Sequence, residues 1–327
     1  DLYIDTANEL LEKTRSFSLP SSLGSPSPTT FEMYTAYGYM LFRNAGCTDA
    51  VIETGLGGRL DATNTITPEE HTAILGDTIE KIAVEKSKIM RSGVPTFVSR
   101  ESDAARKVFE REAESIGAPI SFLEDRIRDL RSETGENGEK ASFTIDGRSF
   151  SLSLSMATSA MAENAALAIL AAHDLGFLTD EGIRKLEKTA LPGRFEKMMI
   201  DGKTVVVDSA HTVNSARATA EAFDAIAKGR KTLIYSSVEG KDIGHMISVL
   251  FPSFDRVIIS TTGDYRRSDP EMIACIGSEL FPHLDISIEK DRDRALEKAL
   301  EGDGSVLITG SFYLASGMRR IREMEGL

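Results

Sequence analysis

The second half of this chain alternates regularly between β-branched apolar runs and amphipathic segments of helical period. Strands are predicted at 204–208, 231–237, 255–261, 284–288 and 305–309, and helices at about 214–227, 241–250, 270–280, 291–301 and 312–323. A helix between two consecutive strands carries the chain back to the same end of one sheet, so such strands run parallel. The pattern therefore predicts an α/β fold with a doubly wound, mostly parallel sheet.

The first half of the chain is less regular. Its predicted elements are strands at 94–99 and 119–123, helices at 103–116, 161–175 and 179–188, and a hairpin within 132–155. The segment Pro192-Gly193-Arg194 then interrupts the pattern. The chain has 327 residues, enough for two domains at roughly 150 residues each. We therefore predict domains at 1–190 and 191–327.

Composition narrows the partners and the compartment. A net charge of −13 argues against nucleic acid and anionic membranes as partners. No apolar run is long enough to span a bilayer, and no secretory signal pattern is present. Cys47 and Cys275 are too few for a disulfide framework. These features predict a cytoplasmic protein that binds neither nucleic acid nor anionic membranes.

The stretch from Val51 to Lys86 carries strong local signals. An apolar run, predicted to be a strand, ends at Glu53 and is followed by a glycine-rich turn. Ligands of open α/β sheets bind outside the carboxyl ends of strands, so Glu53 would face a site. Asp77 and Glu80 have the spacing of a capping box, which predicts the start of a helix there.

Lys86 is expected on the apolar stripe of that helix, four residues after Ile82 and four before Met90. A lysine on such a stripe is costly unless a partner or a chemical change removes its charge. Alternatively, its stem packs against the stripe while the ammonium group reaches water. Both interpretations remain open at this point.

Two common nucleotide-binding motifs do not fit. Gly55, Gly57 and Gly58 suggest a dinucleotide fingerprint, but Leu60 occupies the last glycine position, which disfavours a dehydrogenase. The phosphate-loop pattern GxxxxGK[ST] does not occur in the sequence.

A second strong signal is VVVDSAHTVNSA at 205–216. Three valines lead to Asp208 at the predicted carboxyl end of a strand, and His211 precedes a predicted helix start. An acid at such a turn can bind ribose hydroxyls, and a helix N-terminus favours anions. The segment therefore predicts a nucleotide site.

These segments also carry a family resemblance. The chain resembles the folylpolyglutamate synthase/dihydrofolate synthase family of the Mur-ligase superfamily in four segments: ETGLGGRLDATN, HTAILGDTIEKIAVEK, PGR and VVVDSAHTVNSA. The resemblance implies a P-loop-NTPase-like N-terminal domain, incomplete here, and a smaller Rossmann-like C-terminal domain. It further implies a monomeric, ATP- and Mg²⁺-dependent ligase that joins L-glutamate to a folate or to dihydropteroate through an acyl phosphate.

Some departures keep other functions open. The family usually has Asp-Gly-Ala-His-Asn-Pro where this chain has Ser209, Thr212 and Val213, which is closer to the muropeptide-ligase form. A muropeptide ligase and a non-catalytic nucleotide- or folate-binding remnant therefore remain alternatives. We also expect a phosphate loop upstream of Asp1 and a further strand at the Glu69–Glu70 junction, where a true deletion is the competing interpretation.

By resemblance, Glu53, His71 and Lys86 are candidate Mg²⁺ ligands, with Lys86 carbamylated. Carbamylation would turn its cation into an anion. Mg²⁺ accepts carboxylate oxygens readily, whereas imidazole is a less usual ligand. The alternatives are that Glu53 caps a turn, that His71 is a surface histidine and that the Lys86 ammonium reaches solvent.

The other candidates come from the same resemblance. The candidate catalytic residues are Lys86, His71, Arg194 and His211. The candidate ATP-binding residues are Asn164, Arg194, Asp208 and His211. The candidate residues for binding the incoming amino acid are Lys241 and Ser311. The alternatives are a solvated amide for Asn164, a linker arginine for Arg194 and ordinary helix capping for the Lys241-Asp242 pair.

Overall fold

The computed structural model describes residues 1–15, 27–55, 57–58, 61–64, 78–263 and 266–325. The chain forms two compact units, Asp1–Ser121 and Phe122–Leu327. The domain boundary predicted after residue 190 lies inside the second unit and stays a prediction. Within the described ranges, no helix combines the length and the apolar character needed to cross a membrane.

Unit 1 is mainly helical. Its helices are α1 (Leu2–Arg15), α2 (Thr30–Asn44), α3 (Ile79–Ser87) and α4 (Asp103–Ile116), and the short strands β1 (Thr96–Val98) and β2 (Ile120–Phe122) pair with each other. The sequence predicted β1, α4 and β2 correctly. Ser102 caps the start of α4 and Gly117, at φ 71°, ends it, because glycine adopts the left-handed conformation without strain.

Two predictions in unit 1 are wrong. Residues 50–53 form no strand; Val51 is 98% exposed, so this apolar run lies outside any core. The N-cap of α3 is Thr78, whose side chain accepts a hydrogen bond from the Lys81 N–H, rather than Asp77. Asp77, His71 and the Glu69–Glu70 junction lie outside the described residues.

Unit 2 begins with an antiparallel sheet and two helices. Its first elements are α5 (Leu123–Arg126), β3 (Ile127–Gly135), β4 (Gly138–Ile145), β5 (Arg148–Leu154), α6 (Ser159–Asp174) and α7 (Asp180–Glu187), and the strand order is β3-β4-β5. The predicted hairpin is thus part of a three-stranded sheet. Alternate residues of β4 and β5, including Phe143 and Leu152, are buried, as expected when one face packs on a core.

The predicted parallel sheet follows. Its strands are β6 (Glu196–Ile200), β7 (Lys203–Val207), β8 (Lys231–Tyr235), β9 (Arg256–Ile259), β10 (Asp285–Ile288) and β11 (Ser305–Thr309), in the order β10-β9-β8-β11-β7-β6. Five of them run parallel, as predicted. The sequence analysis missed β6, which pairs antiparallel with β7 across Asp201 and Gly202. Both turn residues have positive φ, the conformation that an Asp-Gly hairpin favours.

Helices cover both faces of this sheet, which confirms the doubly wound arrangement. They are α8 (Val213–Ile226), α9 (Ile243–Leu250), α10 (Pro270–Leu280), α11 (Arg292–Leu300) and α12 (Phe312–Glu325). Residues of α8, α9 and α10 share one core with residues such as Leu233, and residues of α11 and α12 share the other with residues such as Ile234.

The topology indicates where a ligand site lies. β11 is inserted between β8 and β7, although it follows them in the chain. The helix after β11 covers the opposite face from the helices after β7 and β8. Such a reversal opens a crevice at the carboxyl edge, the usual ligand position in open α/β sheets.

Candidate active site

Backbone hydrogen bonds tie together the segments that follow β7, β8 and β11. Asp208 N–H donates to the Ile308 carbonyl at 2.9 Å, and Gly310 N–H donates to the Ala210 carbonyl at 3.1 Å. Gly310 has φ 107°, and a Cβ there would lie 2.5 Å from a ring carbon of Tyr235. These segments are therefore held close together at the crevice.

Asp208 is buried and its carboxylate is largely occupied by the protein. Oδ2 accepts the Phe195 N–H at 2.8 Å, and Oδ1 accepts the Ala210 N–H at 2.8 Å and the Thr219 hydroxyl at 2.9 Å. A carboxylate oxygen accepts two hydrogen bonds, so Oδ2 retains capacity for one more. Asp208 thus anchors the loop that carries Arg194, and its binding to ribose stays a prediction.

The Arg194 loop has a constrained backbone. Gly193 has φ 68° and the buried Phe195 has φ 47°, an unusual conformation for a bulky residue. Ser209 N–H donates to the Gly193 carbonyl at 2.9 Å, which adds a second link between this loop and the segment after β7. The exposed Arg194 side chain makes no hydrogen bond or ion pair in the described part of the chain. A constrained loop therefore carries a guanidinium that is available for an anion.

A cleft of roughly 180 Å³ lies beside this loop. Its lining includes Arg194 and Asp208, together with Thr158, Ala160, Met161, Phe195, Ala210, Ser215, Ala218 and Thr219. Thr158 is the N-cap of α6 but makes no side-chain capping bond, so its side chain leaves the start of this helix uncapped beside the cleft. The exposed Asn164 lies one turn beyond Ala160 and Met161 on the same helix face. The structure thus brings Arg194 and Asp208 together and puts Asn164 one turn away.

His211 is exposed at the start of α8. Its Nδ1 lies 2.9 Å from the Ser209 carbonyl oxygen, so Nδ1 carries the proton and Nε2 is the open position of the neutral ring. Thr212 and Ser215 form a capping box at the same helix start. The loop that holds His211 is therefore fixed at both ends.

Lys241 and Ser311 both stand beside helix caps. Lys241 is exposed, and the neighbouring Asp242 caps α9 and lies 2.8 Å from His245 Nδ1; that hydrogen bond lowers the pKa of Asp242. Ser311 is buried, and its hydroxyl accepts the Leu314 N–H at 3.0 Å. Capping is thus an observed role of these two segments, and substrate binding by Lys241 and Ser311 stays a prediction.

In unit 1 the glycine-rich turn packs against the end of α3. A Cβ at Gly58 would lie 2.7 Å from the Glu85 carbonyl oxygen and 3.2 Å from that of Lys86, so only glycine fits there. A Cβ at Gly55 would lie 3.1 Å from Oδ2 of Asp61. Asp61 is a buried residue that the sequence analysis missed, and it accepts hydrogen bonds from the N–H and hydroxyl of Thr63. Close approach of neighbouring atoms thus accounts for glycine at positions 55 and 58.

The predicted position of Lys86 is wrong. Lys86 is exposed, and the buried residues of α3 are Ala83 and Ser87. Apolar spacing was misleading because Ile79 is 54% exposed and the helix ends at Ser87. Glu53 is also exposed, and His71 lies outside the described residues. Carbamylation of Lys86 therefore depends on the family resemblance and not on a buried charge.

Comparison with known proteins agrees with this geometry. Residues 193–312, which include the Arg194 loop and the segments after β7, β8 and β11, match the family "Mur ligase, glutamate ligase domain". Fold and site thus define a ligase of the Mur type.

A dihydrofolate synthase/folylpolyglutamate synthase of Bacillus subtilis is 32% identical over 317 residues, which is 90% of this chain and 72% of the relative. The chain belongs to the dihydrofolate synthase/folylpolyglutamate synthase family. The resemblance in the sequence is therefore confirmed, as is the class of ATP-dependent, ADP-forming ligases.

Solved structures agree. The structure of Mycobacterium tuberculosis folylpolyglutamate synthase complexed with ADP and AMPPCP superposes with a TM-score of 0.84 at 25% identity. The superposition covers 98% of this chain and 78% of the M. tuberculosis chain. The Thermotoga maritima enzyme gives a TM-score of 0.76 at 26% identity over 96% of this chain and 72% of its own.

Proposed function

We propose that this protein uses ATP to form the amide bond between L-glutamate and a folate. The observation that carries the proposal is the constrained Arg194 loop, anchored by Asp208 beside the cleft at the carboxyl edge of the sheet. This arrangement offers an unpaired guanidinium and a helix N-terminus, both of which suit the phosphates of a nucleotide.

The chemistry needs activation of a carboxylate. An oxygen of the folate carboxylate attacks the γ-phosphorus of ATP, and ADP leaves. The amine of glutamate then attacks the acyl carbon, and phosphate leaves with that carboxylate oxygen while the amine loses a proton. Positioning and charge stabilisation dominate such a reaction. Arg194 is well placed to hold phosphate, and Asn164 lies one turn further along α6 than the residues of that helix that line the cleft.

His211 and the residues after β8 and β11 complete the proposal. With Nδ1 bonded to the Ser209 carbonyl, His211 presents Nε2 as an acceptor in the neutral form or as a donor to phosphate when protonated. Lys241 and Ser311 are proposed to receive the incoming glutamate.

Mg²⁺ would be held by oxygen ligands. Glu53 offers an exposed carboxylate, whereas the Lys86 ammonium has no lone pair and would fit only as a carbamate. His71 is proposed from the resemblance alone. When bound, Mg²⁺ neutralises phosphate charge during transfer.

One structural detail weakens the sequence argument for a muropeptide ligase. Thr212 replaces the family's usual asparagine, but it caps α8 through its side chain, as asparagine at that position would. The departure therefore conserves a helix cap and does not in itself indicate another substrate. The domains 1–190 and 191–327, a cytoplasmic monomer and the absence of nucleic-acid partners remain predictions.

The test is a product assay with three acceptors. The full-length protein is incubated with ATP, Mg²⁺ and L-glutamate, and with dihydropteroate, a reduced folate or a UDP-linked muropeptide, and the products are identified by mass spectrometry. We expect glutamyl addition to a pteridine acceptor with release of ADP. Addition to the muropeptide alone would identify a muropeptide ligase. Nucleotide binding without any product would identify a non-catalytic remnant.

A further inference from the structure

Arg292, the first residue of α11, is a half-buried cation without an acceptor. In the described part of the chain its side chain makes no hydrogen bond or ion pair. Two of the acids nearby in sequence have other partners, because Glu289 pairs with Lys298 at 2.5 Å and Asp291 caps α11. A guanidinium has five donors, and partial burial without an acceptor is unfavourable. The site therefore favours binding of an anion.

Two glycines make room for this guanidinium. A Cβ on Gly317, in α12, would lie 2.7 Å from Cζ of Arg292, and a Cβ on Gly263, in the segment after β9, would lie 3.1 Å from Nη1. Glycine at both positions lets the planar group lie between the helix and the segment. The side chain thus has a formed seat, unlike a lysine or arginine that extends freely from the surface.

A second arginine reaches the same face of α12. Nε of Arg266 lies 3.3 Å from the Tyr313 hydroxyl, and Tyr313 and Gly317 are four residues apart, so they are neighbours on one helix face. The Arg266 carbonyl accepts a hydrogen bond from the hydroxyl of the buried Thr262 at 2.6 Å, which holds the Arg266 backbone beside the end of β9. No acid is ion-paired with Arg266 in the described ranges. Both guanidinium groups therefore lie against α12, and neither has an ion-pair partner in the described ranges.

The position of this pair matches the ligand edge of the sheet. Arg266 follows β9, Arg292 follows β10 and α12 follows β11, so all three lie at the carboxyl ends of parallel strands. The hydroxyl of Ser311 caps the start of α12. The pair therefore lies against α12, the helix that begins at the candidate glutamate segment.

We propose that Arg266 and Arg292 form a subsite for the carboxylates of glutamyl groups. Planar guanidinium groups bind carboxylates through paired hydrogen bonds, and two of them suit an acceptor with several carboxylates. This inference depends on the proposed function, which supplies glutamyl carboxylates from two sources: the incoming L-glutamate and the γ-glutamyl tail of an acceptor that is already elongated.

The test compares steady-state kinetics of Arg292→Gln, Arg266→Gln and the matched control Arg294→Gln, which changes an exposed arginine of the same helix. L-glutamate is varied first, and then acceptors with one and with three glutamyl residues. We expect the KM for glutamate, or the KM for the longer acceptor, to rise at least about tenfold in the first two variants, the cost of a charge-assisted hydrogen bond. The KM for ATP should not change. A higher KM for glutamate assigns the pair to the incoming L-glutamate, and a higher KM for the longer acceptor assigns it to the glutamyl tail.

Gly317→Ala provides an independent variant. The new methyl group would displace the flexible end of Arg292, while alanine favours the helix by about 1 kcal/mol over glycine. The folded protein should therefore persist and show the same change in KM as Arg292→Gln. An unchanged KM for both glutamate and the long acceptor, or a rise in the KM for ATP alone, would overturn the subsite.

A wild-type protein that forms no product would refute the proposed function and not the subsite. In that case calorimetric titration with a tri-γ-glutamate peptide decides. Binding that weakens at least about tenfold in Arg292→Gln, but not in Arg294→Gln, supports the pair. Equal binding by the wild type and both variants, or no binding, overturns it.

Discussion

Replacing Asp208 by asparagine should loosen the Arg194 loop without removing the fold. In the wild type the carboxylate accepts three hydrogen bonds, from the amides of Phe195 and Ala210 and from the hydroxyl of Thr219. An asparagine keeps one oxygen, which can best replace Oδ1 and accept from the Ala210 amide and the Thr219 hydroxyl. Its amide group then faces the Phe195 N–H, where a donor meets a donor.

The size of the effect follows from these contacts. A hydrogen bond to a charged group contributes about 1.5–3 kcal/mol, so Asp208→Asn should destabilise by about 2 kcal/mol. Asp208→Ala removes both acceptor oxygens, and with them all three hydrogen bonds, and leaves two amides unpaired, which should cost about 4 kcal/mol. Thr219→Val is the matched control, because valine is similar in size to threonine, removes only the hydroxyl donor and leaves the Phe195 hydrogen bond intact. It should lower the free energy of unfolding by about 1 kcal/mol.

Scanning calorimetry and amide exchange measure this prediction. For a domain of this size, 1 kcal/mol lowers Tm by about 2–4 °C, so Asp208→Asn should lose about 4–8 °C. The Phe195 amide should exchange faster in Asp208→Asn but not in Thr219→Val, and the KM for ATP should rise only in the former. An unchanged Tm with a protected Phe195 amide would refute the anchoring role of Asp208.

Three further predictions concern other charged residues. Arg126 hydrogen-bonds Asp146 and Asp174 and lowers the pKa of both carboxyls. Arg126→Gln should lower the free energy of unfolding by about 0.5–1 kcal/mol at neutral pH. This difference should be present above about pH 4 and disappear as pH falls through the lowered pKa values, which denaturation at several pH values measures. Arg194→Ala should lower kcat/KM for ATP at least about tenfold with an unchanged Tm. Lys86→Ala should abolish ligase activity with an unchanged Tm because the side chain is exposed, Lys86→Glu should restore part of it, and acid-treated wild type should regain activity with bicarbonate.

The predictions for Arg126 and Arg194 each have a control variant. Lys185→Gln breaks an exposed ion pair with Glu181 and should leave stability unchanged at every pH. Arg217→Ala, an exposed change on α8, should leave the kinetics for ATP unchanged. A pH-independent loss in Arg126→Gln, wild-type kinetics in Arg194→Ala, or full activity of Lys86→Ala would contradict the corresponding prediction.

The sequence was sufficient for the parallel sheet because its central strands are buried on both faces. Leu233 and Ile234 are adjacent residues, yet both are fully buried on opposite sides of β8. Such strands appear as continuous apolar runs, which the helices separate clearly. β6 was missed because its alternation is weak, although Asp201-Gly202 signalled a hairpin.

Candidate site residues could be named from the sequence, but their contacts could not be predicted from it. Asp208 was identified from its place after a strand, but its donors, Phe195 and Thr219, lie 13 and 11 residues away in the chain. The seat of Arg292 between Gly263 and Gly317 likewise depends on three separate segments. No local pattern reports such approaches, since they arise only when the strands pair.

The transfer of oxygen tests the central claim most directly. The folate acceptor is prepared with a heavy oxygen isotope in its reacting carboxylate, and the inorganic phosphate formed with the product is analysed by mass spectrometry. An acyl phosphate predicts one heavy oxygen in each phosphate released, because the carboxylate oxygen leaves with phosphorus. Product formation with unlabelled phosphate would contradict the proposed acyl-phosphate mechanism.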